Sequence, residues 1–195
     1  MGQKVDPRGI RLGISRDWNT KWFSEKADFG KNLVEDQRIK RLIKKKCFFA
    51  GISKIELKRN GDKISVMIHA SRPGIIIGKK GSEVEKLNTA IEQEIGKKDI
   101  SIDIKEISKP ELDAQLVAEN VSSQLTKRAY FRFVMKKALD GCLEAGAKGV
   151  KIKCSGRLGG ADMARTETVK NGALPLHTLS ADVDYGFTEA PTTYG

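Results

Sequence analysis

Gly78-Lys79-Lys80-Gly81 combine the two properties that a polyanionic backbone asks of a protein loop. Two glycines remove the Cβ atoms that would hold a sugar-phosphate chain away, and two lysines supply positive charge. Val84, Leu87, Ile91 and Ile95 then recur on one face, the signature of an amphipathic helix whose N-terminal N–H groups point back at the loop. A bare Gly-x-x-Gly pattern is weak, because a tight turn uses glycines in the same way. A phosphate-binding P-loop fails on spacing: four positions after Gly74 the next residue is Lys79, where a second glycine is required. The chain has no Gly-x-Ser-x-Gly elbow, zinc-protease helix or deaminase signature. Glu83 and Glu85 suit the helix dipole and need no catalytic role. These residues describe a binding loop, with no enzyme, cofactor or metal implied.

Cys47, Cys142 and Cys154 are an odd number, widely spaced, with only His69 and His177 to complete a metal site. They read as small buried hydrophobes in a reducing compartment. Other cations are more telling. The chain carries 36 Lys and Arg against 25 Asp and Glu, a net charge of +11 over 195 residues. Nucleic acid, an anionic membrane or an acidic protein could answer such a surplus. Arg128, Arg132 and Lys136 stand four apart, with Lys137 beside them, and predict a basic ridge on a helix whose other face carries Phe131, Val134, Met135, Ala138 and Cys142. An ordinary solvated helix face is the alternative. Arg157 and Arg165 flank Gly159-Gly160 and suit phosphates, or else surface pairs with Asp162 and Glu167. Lys4, Arg8 and Arg11 lie in a Gly-containing N-terminal stretch that reads as a basic arm on a partner or as a mobile tail. After Lys170 the chain has no Lys or Arg, so the surplus is localised.

The elements that must position these groups follow from periodicity. A helix is predicted from Asp28, its N-cap, to Cys47, ending in Lys44, Lys45 and Lys46 as a C-terminal turn favoured by the dipole. Ile55 and Leu57, then Asn60-Gly61, then Ile64, Val66 and Ile68 predict a hairpin. After the glycine segment and its helix, Ile100, Ile102 and Ile104 predict a third strand. Ser108-Lys109-Pro110-Glu111 reads as a capping box opening a second domain. Two helices, the second from about Lys127 to Ala145, precede strands at Val150–Cys154, Ala164–Val169 and Ala181–Phe187. The expected class is α+β: a basic arm over 1–25, a first domain over 26–107 and a second over 108–195. The first domain has the order of a type II KH fold, whose loop clamps a nucleotide backbone. No signal peptide or run long enough to span a membrane is legible, which predicts a soluble intracellular protein.

Several segments together resemble a known family. They are Met1-Gly2-Gln3-Lys4-Val5, Gly9-Ile10-Arg11-Leu12-Gly13, Arg72 through Gly81, Lys109-Pro110-Glu111-Leu112-Asp113-Ala114, Ser155-Gly156-Arg157-Leu158-Gly159-Gly160 and Pro175-Leu176-His177-Thr178-Leu179. Across nearly the whole chain they are similar to the bacterial-type small-subunit ribosomal protein three. The resemblance implies a structural protein of the small-subunit head, bound to 16S-type rRNA and facing the mRNA entrance in a cytoplasmic or organellar ribosome. It implies small-subunit proteins ten and fourteen as head neighbours, proteins four and five across the entrance, and no membrane. It assigns the clamp to Gly78, Lys79, Lys80 and Gly81, and mRNA contact to the helix holding Arg132 and Lys136.

This chain departs from the family at Phe133, where a second arginine is common; either the entrance is less cationic, or Arg128 and Lys137 compensate. The family also usually continues past Gly195 with a further apolar strand, so either a tail is omitted or the last sheet is one strand short. A free-standing KH regulator of mRNA would use the same loop. An RNA-unwinding ATPase or a nuclease finds no supporting site.

Overall fold

The computed structural model describes residues 5–61, 63–78, 81–96 and 99–195. The chain forms two compact units. One is continuous, Trp18–Ser108, and the other joins the residues up to Asp17 to Lys109–Gly195.

The continuous unit runs β1 (Thr20–Lys21), α1 (Lys26–Lys46), β2 (Ile52–Asn60), β3 (Lys63–Ala70), α2 (Pro73–Ile77), α3 (Ser82–Ile95) and β4 (Ile100–Glu106). Its sheet has the order β1-β2-β3-β4, with β2 and β3 antiparallel and the outer pairings parallel. The hairpin register sets Leu57 against Val66 and Ile55 against Ile68, and the crossover through α3 sets Ile64, Val66 and Ile68 beside Ile100, Ile102 and Ile104. That alternation turns one apolar face of the sheet toward Ile39 and Ile43 of α1, Ile76 of α2, and Leu87 and Ile91 of α3. Each such side chain contributes about 1.5–3 kcal/mol by leaving water.

At the edge of this core a polar knot joins α1 to β2. Asp36 is 1% exposed; it accepts from Trp22 Nε1 at 2.7 Å and from Arg59 Nε at 2.8 Å. Arg59 also donates to Glu35 at 2.8 Å and to the side chain and carbonyl of Asn32. α1 starts at Lys26, earlier than the expected Asp28 cap, and Asp28 instead lies in the first turn, paired with Lys31 at 3.3 Å.

The second unit contains α4 (Ala114–Thr126), α5 (Phe131–Glu144), β5 (Gly149–Gly156) and β6 (Arg165–Gly172). β5 and β6 pair antiparallel from Gly149 against Gly172 to Gly156 against Arg165. Three expectations change here. The capping box at Ser108 is replaced by a single 3-10 turn, Pro110–Leu112, and Asp113 caps α4 by accepting from the N–H groups of Gln115 and Leu116 at 3.1 Å.

The next helix begins at Phe131, four residues later than expected, because Arg128 at φ 63° closes α4 with a Schellman motif. Its N–H reaches Leu125 O at 2.9 Å, and Ala129 N–H reaches Gln124 O at 3.1 Å. The segment 181–187 is not a strand. Its polar groups turn to the start of α4: Ala114 N–H donates to Asp184 at 2.9 Å, and Gln115 exchanges hydrogen bonds with the backbone of Phe187. Gly186 permits this approach, since a Cβ there would lie 2.1 Å from Ala114 O.

Candidate nucleic-acid interface

The glycine loop is built backward from the core. β3 delivers the chain at Ser71, whose N–H donates to Gly51 O at 2.9 Å, and Arg72 N–H donates to Ala50 O at 3.1 Å. Pro73, with its pre-set φ, opens α2. Ile76 anchors that short helix at 2% exposure. Gly78 ends it, with its N–H on Gly74 O at 3.0 Å and φ 68°, ψ −173°, a conformation essentially confined to glycine. A Cβ on Gly78 would also lie 2.5 Å from Glu83 Cγ.

Gly81 precedes α3 in the left-handed region, and no side chain caps that helix. Gly81 brings no side chain to cap the first turn, and among the described residues nothing lies within 4 Å of a Cβ built on it. Lys79 and Lys80 lie outside the described residues, as does Lys4. The described part of the loop offers what a sugar-phosphate backbone needs: a glycine that cannot be replaced, and a helix N-terminus behind it.

The second unit separates the expected ridge and regroups it. Arg128 is not on the helix; it lies exposed in the turn before it. Arg132, Lys136 and Lys137 are exposed on α5, with Phe133 at 64% exposure among them. Arg132 and Arg165 come together from different elements. Both approach Glu167, at 3.5 and 4.0 Å, and both guanidinium carbons lie beside the Phe131 ring, at 5.6 and 5.7 Å from its centroid. Phe131 itself is 4% exposed, so a fixed aromatic face and one carboxylate hold two cations at the surface. Along the same flank a groove of about 430 Å³ between α5 and β6 is lined by apolar Met135, Leu139 and Val169, the cations Arg132, Lys136 and Lys170, and the acids Asp140 and Glu167.

Other predicted contacts turn inward. Arg11 is fully buried, and its guanidinium donates to five backbone carbonyls, those of Pro7, Pro175, Leu176, Thr178 and Ala181, at 2.8–3.3 Å. It offers no donor to an RNA in this fold, a correction to its expected role. Arg8 is exposed, pairs with Asp6 at 3.4 Å and lies over Tyr185, while Arg16 pairs with Asp182 at 2.9 Å. Residues 5–17 thus fold onto their own chain, the outcome of neither earlier alternative. Arg157 donates to the carbonyls of Ala161 and Tyr194 and pairs with Asp162 at 3.4 Å, so its guanidinium braces the Leu158–Gly160 turn. Sequence reading offers Glu167 only as a surface partner for Arg165, a pairing the structure keeps at 4.0 Å, and misses Arg132 as its second partner. The alternation of Glu167 with Arg165 is legible, but its meeting with Arg132 depends on tertiary packing.

Titration adds little chemistry. Burial pushes the thiols of Cys47, Cys142 and Cys154 up, away from the reactive thiolate. Burial also lowers Lys40, although Asp36 opposes the shift. Among the described residues no group of His, Cys, Asp and Glu could hold a metal ion, and no helix is long and apolar enough to cross a membrane.

Known proteins match both units. A family model described as "KH domain" covers residues 38–112, and one described as "Ribosomal protein S3, C-terminal domain" covers residues 121–195. Among curated relatives, the "Small ribosomal subunit protein uS3" of Caldicellulosiruptor saccharolyticus is 58% identical over all of this chain and 88% of its own length. The protein of that name from Trichlorobacter lovleyi is 57% identical over all of this chain and 92% of its own. The one from Agathobacter rectalis is 52% identical, again over all of this chain and 88% of its own.

Proposed function

The chain belongs to the uS3 family of small-ribosomal-subunit proteins, and from that membership we propose that it grips rRNA in the subunit head through its KH loop and meets mRNA at the entrance through α5. The coarser statement needs no proposal: the chain is a structural, non-enzymatic constituent of the small subunit with a KH RNA-binding domain. The observation that carries the finer reading is the pairing of Arg132 with Arg165 around Phe131, flanked by exposed Lys136 and Lys137. Cations held at fixed spacing contact successive phosphates without reading bases, which is what a passage for every message requires.

In this reading the clamp of Gly78, Lys79, Lys80 and Gly81 serves 16S-type rRNA, and Arg8 adds surface charge. Small-subunit proteins ten and fourteen are head neighbours, with four and five across the entrance. The work is done on cytoplasmic ribosomes. Of the two compensations for Phe133, Lys137 is the stronger, since it shares α5 with Arg132 while Arg128 does not.

The test uses reconstituted small subunits carrying Arg132→Ala with Lys136→Ala. Translation through a stable message hairpin should slow several-fold more than translation of an unstructured message, with subunit assembly unaffected. Equal losses in assembly and hairpin passage would assign the ridge to rRNA instead.

A further inference from the structure

The 3-10 turn Phe48–Ala50 between α1 and β2 carries a feature that the KH loop does not account for. Ala50 is fully buried and fixes the turn, whereas Phe48 and Phe49 are 60% and 80% exposed. Their rings meet edge to face, 5.9 Å apart at 79°. Two adjacent phenyl rings left mostly in water cost solubility, so they point to a ligand.

Where the turn sits narrows the choice. The carbonyls of Ala50 and Gly51 accept from Arg72 and Ser71, the residues that lead into α2 and the glycine loop, and the turn packs on α2. Glu83, the side chain beside Gly78, is close enough to Cys47 for its charge to act on that thiol. The aromatic pair therefore neighbours the clamp. Its surroundings are cationic and exposed: Lys45 and Lys46 end α1 just before it, and the backbone of exposed Arg72 is held to Ala50 of the turn.

We propose that Phe48 and Phe49 form a stacking platform for unpaired bases of single-stranded RNA, whose phosphates are neutralised by Lys45, Lys46 and Arg72. Flat rings among cations are how proteins hold single strands without choosing a sequence, because every base has a π-face. An apolar protein partner would gain from the rings and lose by desolvating the three cations around them. The platform extends the RNA-binding reading of the glycine loop, on which it rests, from backbone capture to base capture.

The full chain and a short labelled oligouridylate test this, with a duplex of equal length as reference. Phe48→Ala with Phe49→Ala should weaken single-strand binding roughly 5- to 30-fold. Duplex affinity and the slope of log affinity against log salt should not change, since no phosphate contact is lost. Phe48→Tyr with Phe49→Tyr should retain binding. Lys79→Asp with Lys80→Asp should weaken binding and flatten the salt slope.

Oligouridylate affinity unchanged by the alanine pair but lowered by the loop pair overturns the platform and leaves the clamp standing, with the rings then free for a protein neighbour. No binding by the parent overturns both. Should the alanine pair melt early, crosslinking of the parent chain to 4-thiouridine RNA decides: adducts at Phe48 or Phe49 support the platform, and adducts confined elsewhere overturn it.

Discussion

Each compact unit buries an arginine, and the two are satisfied by opposite chemistry. In the KH unit Arg59 meets carboxylates, Asp36 and Glu35, within a knot that Trp22 completes. In the second unit Arg11 meets no carboxylate among the described residues and is surrounded by five carbonyls. Arg59 ties a helix to its neighbouring strand, 23 residues away in sequence from Asp36. Arg11 ties segments up to 170 residues apart. A unit with a broad aliphatic core needs a polar tie only at its edge. The second unit has a shorter apolar inventory, Leu116, Val121, Phe131, Val134, Met135, Leu139, Cys142 and Val183, and uses polar ties to close itself.

The contrast can be broken by substitution. Asp36→Ala leaves a buried guanidinium short of its main counter-charge and should destabilise the KH unit by about 3–5 kcal/mol in denaturant unfolding. Asp36→Leu combined with Arg59→Met should restore most of that loss, because an apolar pair needs no compensation. A loss under about 1 kcal/mol for Asp36→Ala would mean that the knot is solvated and the comparison void.

Arg11→Met should cost less, about 2–3 kcal/mol, since the carbonyls it leaves can rehydrate as their loop lifts away. Faster amide exchange should appear at Leu176–Val183 and not in β2 or β3; exchange rising in both units would show that the tie is not local to one.

The smallest effect has the opposite sign. Arg128→Gly relieves a left-handed backbone in the Schellman cap of α4 and should stabilise the second unit by about 1 kcal/mol, read as a rise in midpoint. A fall would show that the Arg128 side chain contributes a contact worth more than the strain.

What the sequence disclosed divides along the same line. The hairpin at Asn60-Gly61, the helix after Gly81 and the alternation of β5 are patterns of period and turn chemistry, and the structure keeps them. Arg11, Arg128 and the segment 181–187 were misread because their outcomes depend on distant groups. A cation in a Gly-rich stretch looks solvent-facing until carbonyls from the far end of the chain enclose it. An alternating Val183, Tyr185 and Phe187 looks like a strand until the start of α4 takes its hydrogen bonds. At the interface, residue types were legible and their grouping was not: Arg132 and Arg165 share Glu167 only because β6 lies against α5.

The order in which a ribosome makes this chain gives Arg11 a role in time. Its acceptors at Pro175, Leu176, Thr178 and Ala181 are translated long after it, up to 170 residues later. At about 5–20 residues per second that interval is of order 10–30 s. The intervening KH unit is continuous in sequence and can complete its core while Arg11 waits as a bare cation in solvent. Closure of the second unit thus waits until synthesis has passed Ala181, and a chain released before that point lacks the partners to bury Arg11.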